Sequence, residues 1–148
     1  MLLTNSKGMK DSYNLQRFVD AQTSSYETAL KELHEGYKRG HWMWYIFPQL
    51  KGLGRSAISQ TFALASLKEA QAYLEHPVLG SRLKTCTQAV LDLNNRTAQD
   101  IFGHPDVLKF KSSMTLFAQL GDSLFSQALN KYFEGVADKV TLRLLRNP

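Results

Sequence analysis

The chain has 148 residues, 43% of them hydrophobic and 21% charged, with two Trp, six Tyr and eight Phe; that suffices for one well-buried domain, not two, and does not resemble a disordered or fibrous chain. No apolar run reaches the length of a membrane span, Leu2-Leu3 is too short for a secretory signal, and the lone Cys86 excludes an internal disulfide, so a cytoplasmic location is expected. The formal charge of +5 is concentrated between Gly36 and Lys68, where Lys38, Arg39, Lys51, Arg55 and Lys68 occur without a single Asp or Glu, which points to an anionic partner.

Residues 1–12 are polar and aperiodic and are expected to be a flexible N-terminal tail, with 13–148 forming a single helical domain. Asn14 is placed to cap a short helix through Gln22. Ser24 and Glu27 have capping-box spacing ahead of a helix with Tyr26, Ala29, Leu30, Leu33 and Tyr37 on one face, ended by Gly36 and Gly40. From His41 to Phe47 the run is aromatic and without clean period, read as a short buried helix with a strand as the alternative; some β structure is allowed between Trp42 and Phe62. Pro48 closes the run, and Gln49 to Ser56, with Gly52 and Gly54, reads as a loop.

Ser66 and Glu69 repeat the capping-box spacing before a helix that stops near His76, and Pro77 suits the first turn of the next. On that helix Leu79, Leu83, Cys86, Val90 and Leu93 recur at alternating spacings of four and three, the clearest helical pattern in the chain. Thr97 with Asp100 starts a short helix ended by Gly103, Pro105 opens one through Leu120, and Asp122 and Asp138 cap the last two. The expected fold is all-α: a compact single domain of six to eight helices with short loops.

Chemistry concentrates in His41-Trp42-Met43-Trp44-Tyr45-Ile46-Phe47-Pro48-Gln49-Leu50-Lys51-Gly52-Leu53-Gly54-Arg55-Ser56, which holds both tryptophans. Each large aromatic, taken singly, equally suits a core. Taken together, indole faces that stack, cations that attract phosphate, and glycines that let backbone N–H groups approach an anion match a nucleotide-like ligand. In this reading Trp42 or Trp44 stacks, Lys38, Lys51 and Arg55 hold phosphate, Gly52 and Gly54 open the backbone, and Gln49 with Ser56 orients polar edges. Gly52-x-Gly54-x-Ser56 lacks the lysine and third glycine of the phosphate-loop and dinucleotide fingerprints.

His41 is the acid–base candidate, since an unperturbed imidazole titrates near pH ~6.5 and nearby Lys38 and Arg39 favour its neutral form; a helix-capping role is the alternative. His34, His76 and His104 read as structural or solvated, the first two near helix C-termini. A second polar cluster, Lys109, Lys111, Ser112, Ser113 and Thr115, lies after Pro105, where Ser112 and Thr115 share a face that could line a cleft; Asp100 and Asp106 read as helix N-terminal acids. Neither a metal site nor a bound cofactor is expected, because the histidines lack paired ligand spacing, and Cys86 on an apolar face reads as a small buried residue.

Arg17 to Gln22, the His41 to Ser56 segment, Glu69 to Leu83 and Ile101 to Phe117 resemble one uncharacterised bacterial family often labelled calpastatin, the resemblance covering nearly all of Asn14 to Leu145. It implies a compact, largely helical fold and brings no activity with it. In the order of its helix motifs the chain is also loosely similar to helical families that process ADP-ribose or NAD-derived compounds. The functional expectation is therefore binding of an anionic, ring-bearing small molecule, a nucleotide or an ADP-ribose derivative, with N-glycosidic hydrolysis if a reaction occurs, the proton moved by His41 or by a carboxylate from elsewhere. The alternatives are a nucleic-acid-binding module using the same surface, and a protein-interaction domain marked by an exposed apolar patch at Trp44 or Phe47.

Overall fold

The structure is a computed structural model that describes residues 3–4 and 10–147. Most of the expected tail lies outside those residues, but β1 (Leu3–Thr4) pairs antiparallel with β2 (Lys10–Asp11). Among the described residues ten helices follow: α1 (Gln16–Thr23), α2 (Tyr26–Glu35), α3 (Met43–Ile46), α4 (Ala57–Thr61), α5 (Leu67–Glu75), α6 (Leu79–Leu91), α7 (Ala98–Phe102), α8 (Asp106–Ala118), α9 (Ser123–Phe133) and α10 (Lys139–Arg146). The fold is all-α, and the surplus over six to eight helices comes from single-turn pieces such as α3 and α4, too short to leave a periodic pattern in the sequence.

Helix starts follow side-chain chemistry, with two corrections. Asn14 does not cap α1; its φ is +52°, and the buried Asp11 carboxylate takes the free N–H groups of Leu15 (2.7 Å) and Gln16 (2.9 Å) instead. Ser24 does not open α2, since Ser25 is the N-cap and turns its hydroxyl back to the Ala21 carbonyl. His76 ends α5 as expected, its N–H donating to the Ala72 and Tyr73 carbonyls, while its Nδ1 accepts from Val78 N–H and Leu79 N–H at the entry to α6. The Thr97–Asp100 capping box forms in both directions, and Asp122 and Asp138 cap α9 and α10. Ser66 receives Glu69 N–H, but the Glu69 side chain goes to Ala65 N–H and the Arg17 guanidinium.

The core is built around α6 and α8. On α6, Leu79, Leu83, Cys86 and Val90 are buried in the expected row. The α8 stretch from Ser112 to Phe117 is buried on every side, the mark of a helix enclosed by others. It packs on α9, α7, α5 and α10; two of its buried hydroxyls are met locally, Ser112 donating to Leu108 O and Thr115 to Lys111 O, while Ser113 Oγ is buried without a partner. Gly80 sets the crossing of α5 and α6: a Cβ there would lie 1.9 Å from the Leu74 carbonyl oxygen.

The segment between α2 and α3 is organised by one acid. Glu32 Oε1 accepts from Arg39 N–H (2.8 Å), Gly40 N–H (2.9 Å) and Trp42 Nε1 (2.9 Å). Burial opposes the charged form of Glu32, but these donors outweigh it and hold its carboxyl below the usual glutamate range. Further on, Leu50 and Leu64 form an isolated parallel bridge, with Leu64 N–H donating to Gln49 O (2.9 Å) and Lys51 N–H to Leu64 O (2.7 Å). That bridge is all the β structure found among the described residues between Trp42 and Phe62.

Candidate functional site

A cleft of about 190 Å³ opens between the α3–α4 segment and the N-terminal half of α8, with the start of α10 at its edge. Its apolar surface comes from Trp44, Leu53, Pro105, Leu108 and Val140, and its polar groups from Gln49, Lys109, Ser112 and Asp138. Trp44 is half-buried on the α3 turn. Leu108, 55% exposed, and Val140 keep apolar surface open to solvent.

The Lys109 ammonium lies 4.1 Å from the centroid of the Trp44 ring and 2.9 Å from Asp106 Oδ1. Asp106 Oδ2 meets Lys38 Nζ at 2.6 Å, so one carboxylate is shared by two ammonium groups. Burial opposes the charge on Asp106, while the hydrogen bonds from Lys38 and Lys109 outweigh it and lower its pKa. Across the cleft, Asp138 Oδ2 caps α10 by accepting from Thr141 N–H and Thr141 Oγ1, and Asp138 N–H donates to Thr115 Oγ1.

Gln49 stands apart from these satisfied groups. It is only 8% exposed, and its Nε2 is buried without a partner. A buried amide with nothing to bond is rare in native proteins, because it forfeits its hydration.

Of the residues singled out in the sequence, the structure brings Trp44, Gln49 and Gly54 together in the cleft. Gly54 is there for close packing, since a Cβ would come within 2.5 Å of Ser59 Cβ and 3.5 Å of the Trp44 ring. Trp42 is corrected to core: it is 2% exposed, its indole N–H is spent on Glu32, and no face is left for a ligand. Lys38 is corrected likewise, its side chain 7% exposed and bonded to Asp106 and to the Gly40 carbonyl. Ser56 serves as N-cap of α4 and does not line the cleft.

His41 is exposed and is not among the lining residues, so the cleft does not receive the imidazole expected to move its proton; nor does His41 cap α2, which ends on Gly36. Lys51, Gly52 and Arg55 are exposed beside the Leu53–Gly54 wall. Gly52, with φ +104°, turns the loop against Leu144 of α10, and Lys51 and Arg55 form no ion pair with a described residue. Phe47, proposed for an exposed patch, is fully buried.

Lys109 and Ser112, from the second polar cluster, do line the cleft, whereas Thr115 lies behind it under Asp138. Sequence reading gave Asp138 only a capping role and passed over Leu53, Pro105, Leu108 and Val140, which carry no chemical signature on their own. Among the described residues no group of three or more His, Cys, Asp or Glu is placed to hold a metal ion, and no helix is long and apolar enough to cross a membrane.

No curated protein matches the chain. The crystal structure of the conserved hypothetical protein Rv1873 from Mycobacterium tuberculosis is similar to it at 48% identity, with a TM-score of 0.90, covering 92% of this chain and 99% of that one. The likeness extends through the helical fold as a whole. A family match over residues 12–145 agrees with the resemblance to an uncharacterised family, though it does not carry the calpastatin label. The chain belongs to the family described as "Protein of unknown function (DUF1810)".

Proposed function

We propose that the cleft binds an anionic, ring-bearing small molecule of the nucleotide or ADP-ribose type. The observation that carries this reading is the pairing, in one concave site, of the half-buried Trp44 ring with the unbonded carboxamide of Gln49. Concave sites with apolar walls and a few polar groups are where small ligands bind. At about 190 Å³ the cleft takes a single ring system, so ribose and phosphate would extend outward. There the exposed and unpaired Lys51 and Arg55 supply positive charge. A ring stacking on Trp44 replaces the Lys109 ammonium, which Asp106 retains nearby.

Should the ligand be cleaved at an N-glycosidic bond, the proton falls to Asp138, the carboxylate on the lining, rather than to His41. A cytoplasmic setting suits both a nucleotide ligand and an unpaired Cys86 thiol. The exposure of Lys51, Arg55 and Lys68 also favours a second reading, contact with a nucleic-acid backbone.

A thermal-shift screen with nucleotides, NAD, ADP-ribose and short oligonucleotides at two salt concentrations separates the two, because a ligand that binds the native state raises the melting temperature. The small-molecule reading expects a nucleotide shift that Trp44→Ala abolishes and Arg55→Ala weakens. A shift with oligonucleotides alone, falling steeply with salt, favours the second reading. No small-molecule shift, or one that survives Trp44→Ala, overturns the first.

A further inference from the structure

We propose that Gln49 sets the specificity of the cleft, its carboxamide pairing with the edge of a planar heterocycle that presents a hydrogen-bond donor and an acceptor side by side, as nucleobases do. This inference rests on the reading of the cleft as a ring-binding site. The Gln49 backbone is fixed by Leu64 N–H on its carbonyl and by the bridge beside it, so the side chain projects from a rigid base. Its Nε2 has no partner, and no hydrogen bond joins its Oε1 to any described residue.

The other polar groups of the lining are committed. Ser112 donates to Leu108 O, Lys109 is held by Asp106, and Asp138 Oδ2 is held by Thr141. A carboxamide offers one donor end and one acceptor end in a plane, which matches the adjacent N–H and acceptor of an amidine or lactam ring with two parallel hydrogen bonds. Trp44 provides a face and Gln49 an edge, and a flat heterocycle needs both to be read. The cleft volume of about 190 Å³ limits this recognition to the ring itself.

The test measures dissociation constants by titration calorimetry for the full chain and for Gln49→Met, using two matched pairs. One is adenosine monophosphate and its N6,N6-dimethyl derivative; the other is uridine monophosphate and its N3-methyl derivative. Each methylated member keeps its ring and phosphate but loses the donor at the edge. Wild type should bind the parent of at least one pair ten-fold or more tightly than the methylated member, and Gln49→Met should bind both members of that pair equally. Gln49→Met should melt no lower than wild type, which separates lost recognition from lost folding. Equal binding within both pairs by wild type, or discrimination that persists in Gln49→Met, overturns the role of Gln49 while leaving the ring-binding site standing. Absence of binding by all four compounds overturns both.

Discussion

Gln49→Met should stabilise the unliganded protein. The carboxamide is 8% exposed, its Nε2 has no partner, and an unsatisfied buried polar group costs roughly 1–3 kcal/mol. Methionine has nearly the same length and flexibility, fills the same space among Trp44, Leu53 and Leu108, and brings no donor that needs bonding. Removing the penalty should therefore gain about 1–2 kcal/mol, after allowing for imperfect packing of the thioether. For a chain of this size that corresponds to a rise in melting temperature of roughly 2–8 °C. Urea titration of the ligand-free protein is the cleaner assay: the midpoint should move up while the slope stays constant, since the unfolded surface hardly changes. A midpoint lowered by the equivalent of 1 kcal/mol or more would show that the amide makes an interaction that matters to the fold, and the argument from an idle side chain would fail. Binding sites are one place where such a cost to stability is retained, because function there needs the unsatisfied group.

Gly80→Ala should be severely destabilising, by about 3 kcal/mol or more, because its Cβ would sit 1.9 Å from a backbone oxygen that cannot rotate away; a melting temperature near that of wild type would show that α5 and α6 can separate cheaply. Glu32→Gln should cost about 2 kcal/mol at neutral pH, the worth of a charged acceptor for three donors. Since the folded carboxyl binds its proton more weakly than the unfolded one, that contribution is complete above the ordinary glutamate range near pH ~4.3 and is lost as pH falls through the lower folded value. The gap between wild type and Glu32→Gln should thus close in acid, and a gap that widens there would refute the assignment. Burial pushes the Cys86 thiol up to about 12, Arg82 only partly offsetting it, so alkylation at pH 8 should require unfolding, and rapid labelling of the native protein would contradict the packing of α6.

The frame was readable wherever a helix exceeded two turns and carried its own stop and start signals. Leu79 through Val90 gave α6 by period, and Thr97, Asp122 and Asp138 gave three starts by their oxygens. Where the reading slipped, the deciding partner was a neighbour with equal local chemistry: Asp11 outcompeted Asn14, and Ser25 displaced Ser24 by one position. The site was legible in part. Trp44, Gln49 and Gly54 follow from the unusual segment, but nothing in the sequence tells Trp42 from Trp44; the difference is Glu32, ten residues earlier, whose carboxylate claims one indole and not the other. The charge pattern misled at Lys38 for a similar reason, because that residue finds its counter-ion in Asp106, far along the chain and outside the window in which the excess was counted.

The Leu50–Leu64 bridge has a consequence for how the protein can vary. Main-chain hydrogen bonds from Leu64 N–H to Gln49 O and from Lys51 N–H to Leu64 O tie the two ends of the segment together, so residues 52–63 form a loop closed at its neck, with Gly52 resting on Leu144 and Phe62 on Phe18 and Tyr45. Length inserted next to the exposed Arg55, beyond the bridge and ahead of the Ser56 cap, adds little closure entropy and leaves the hydrogen bonds that fix Gln49 in place. The reach and charge of that rim are thereby separable from the amide at its base, which the bridge keeps in register.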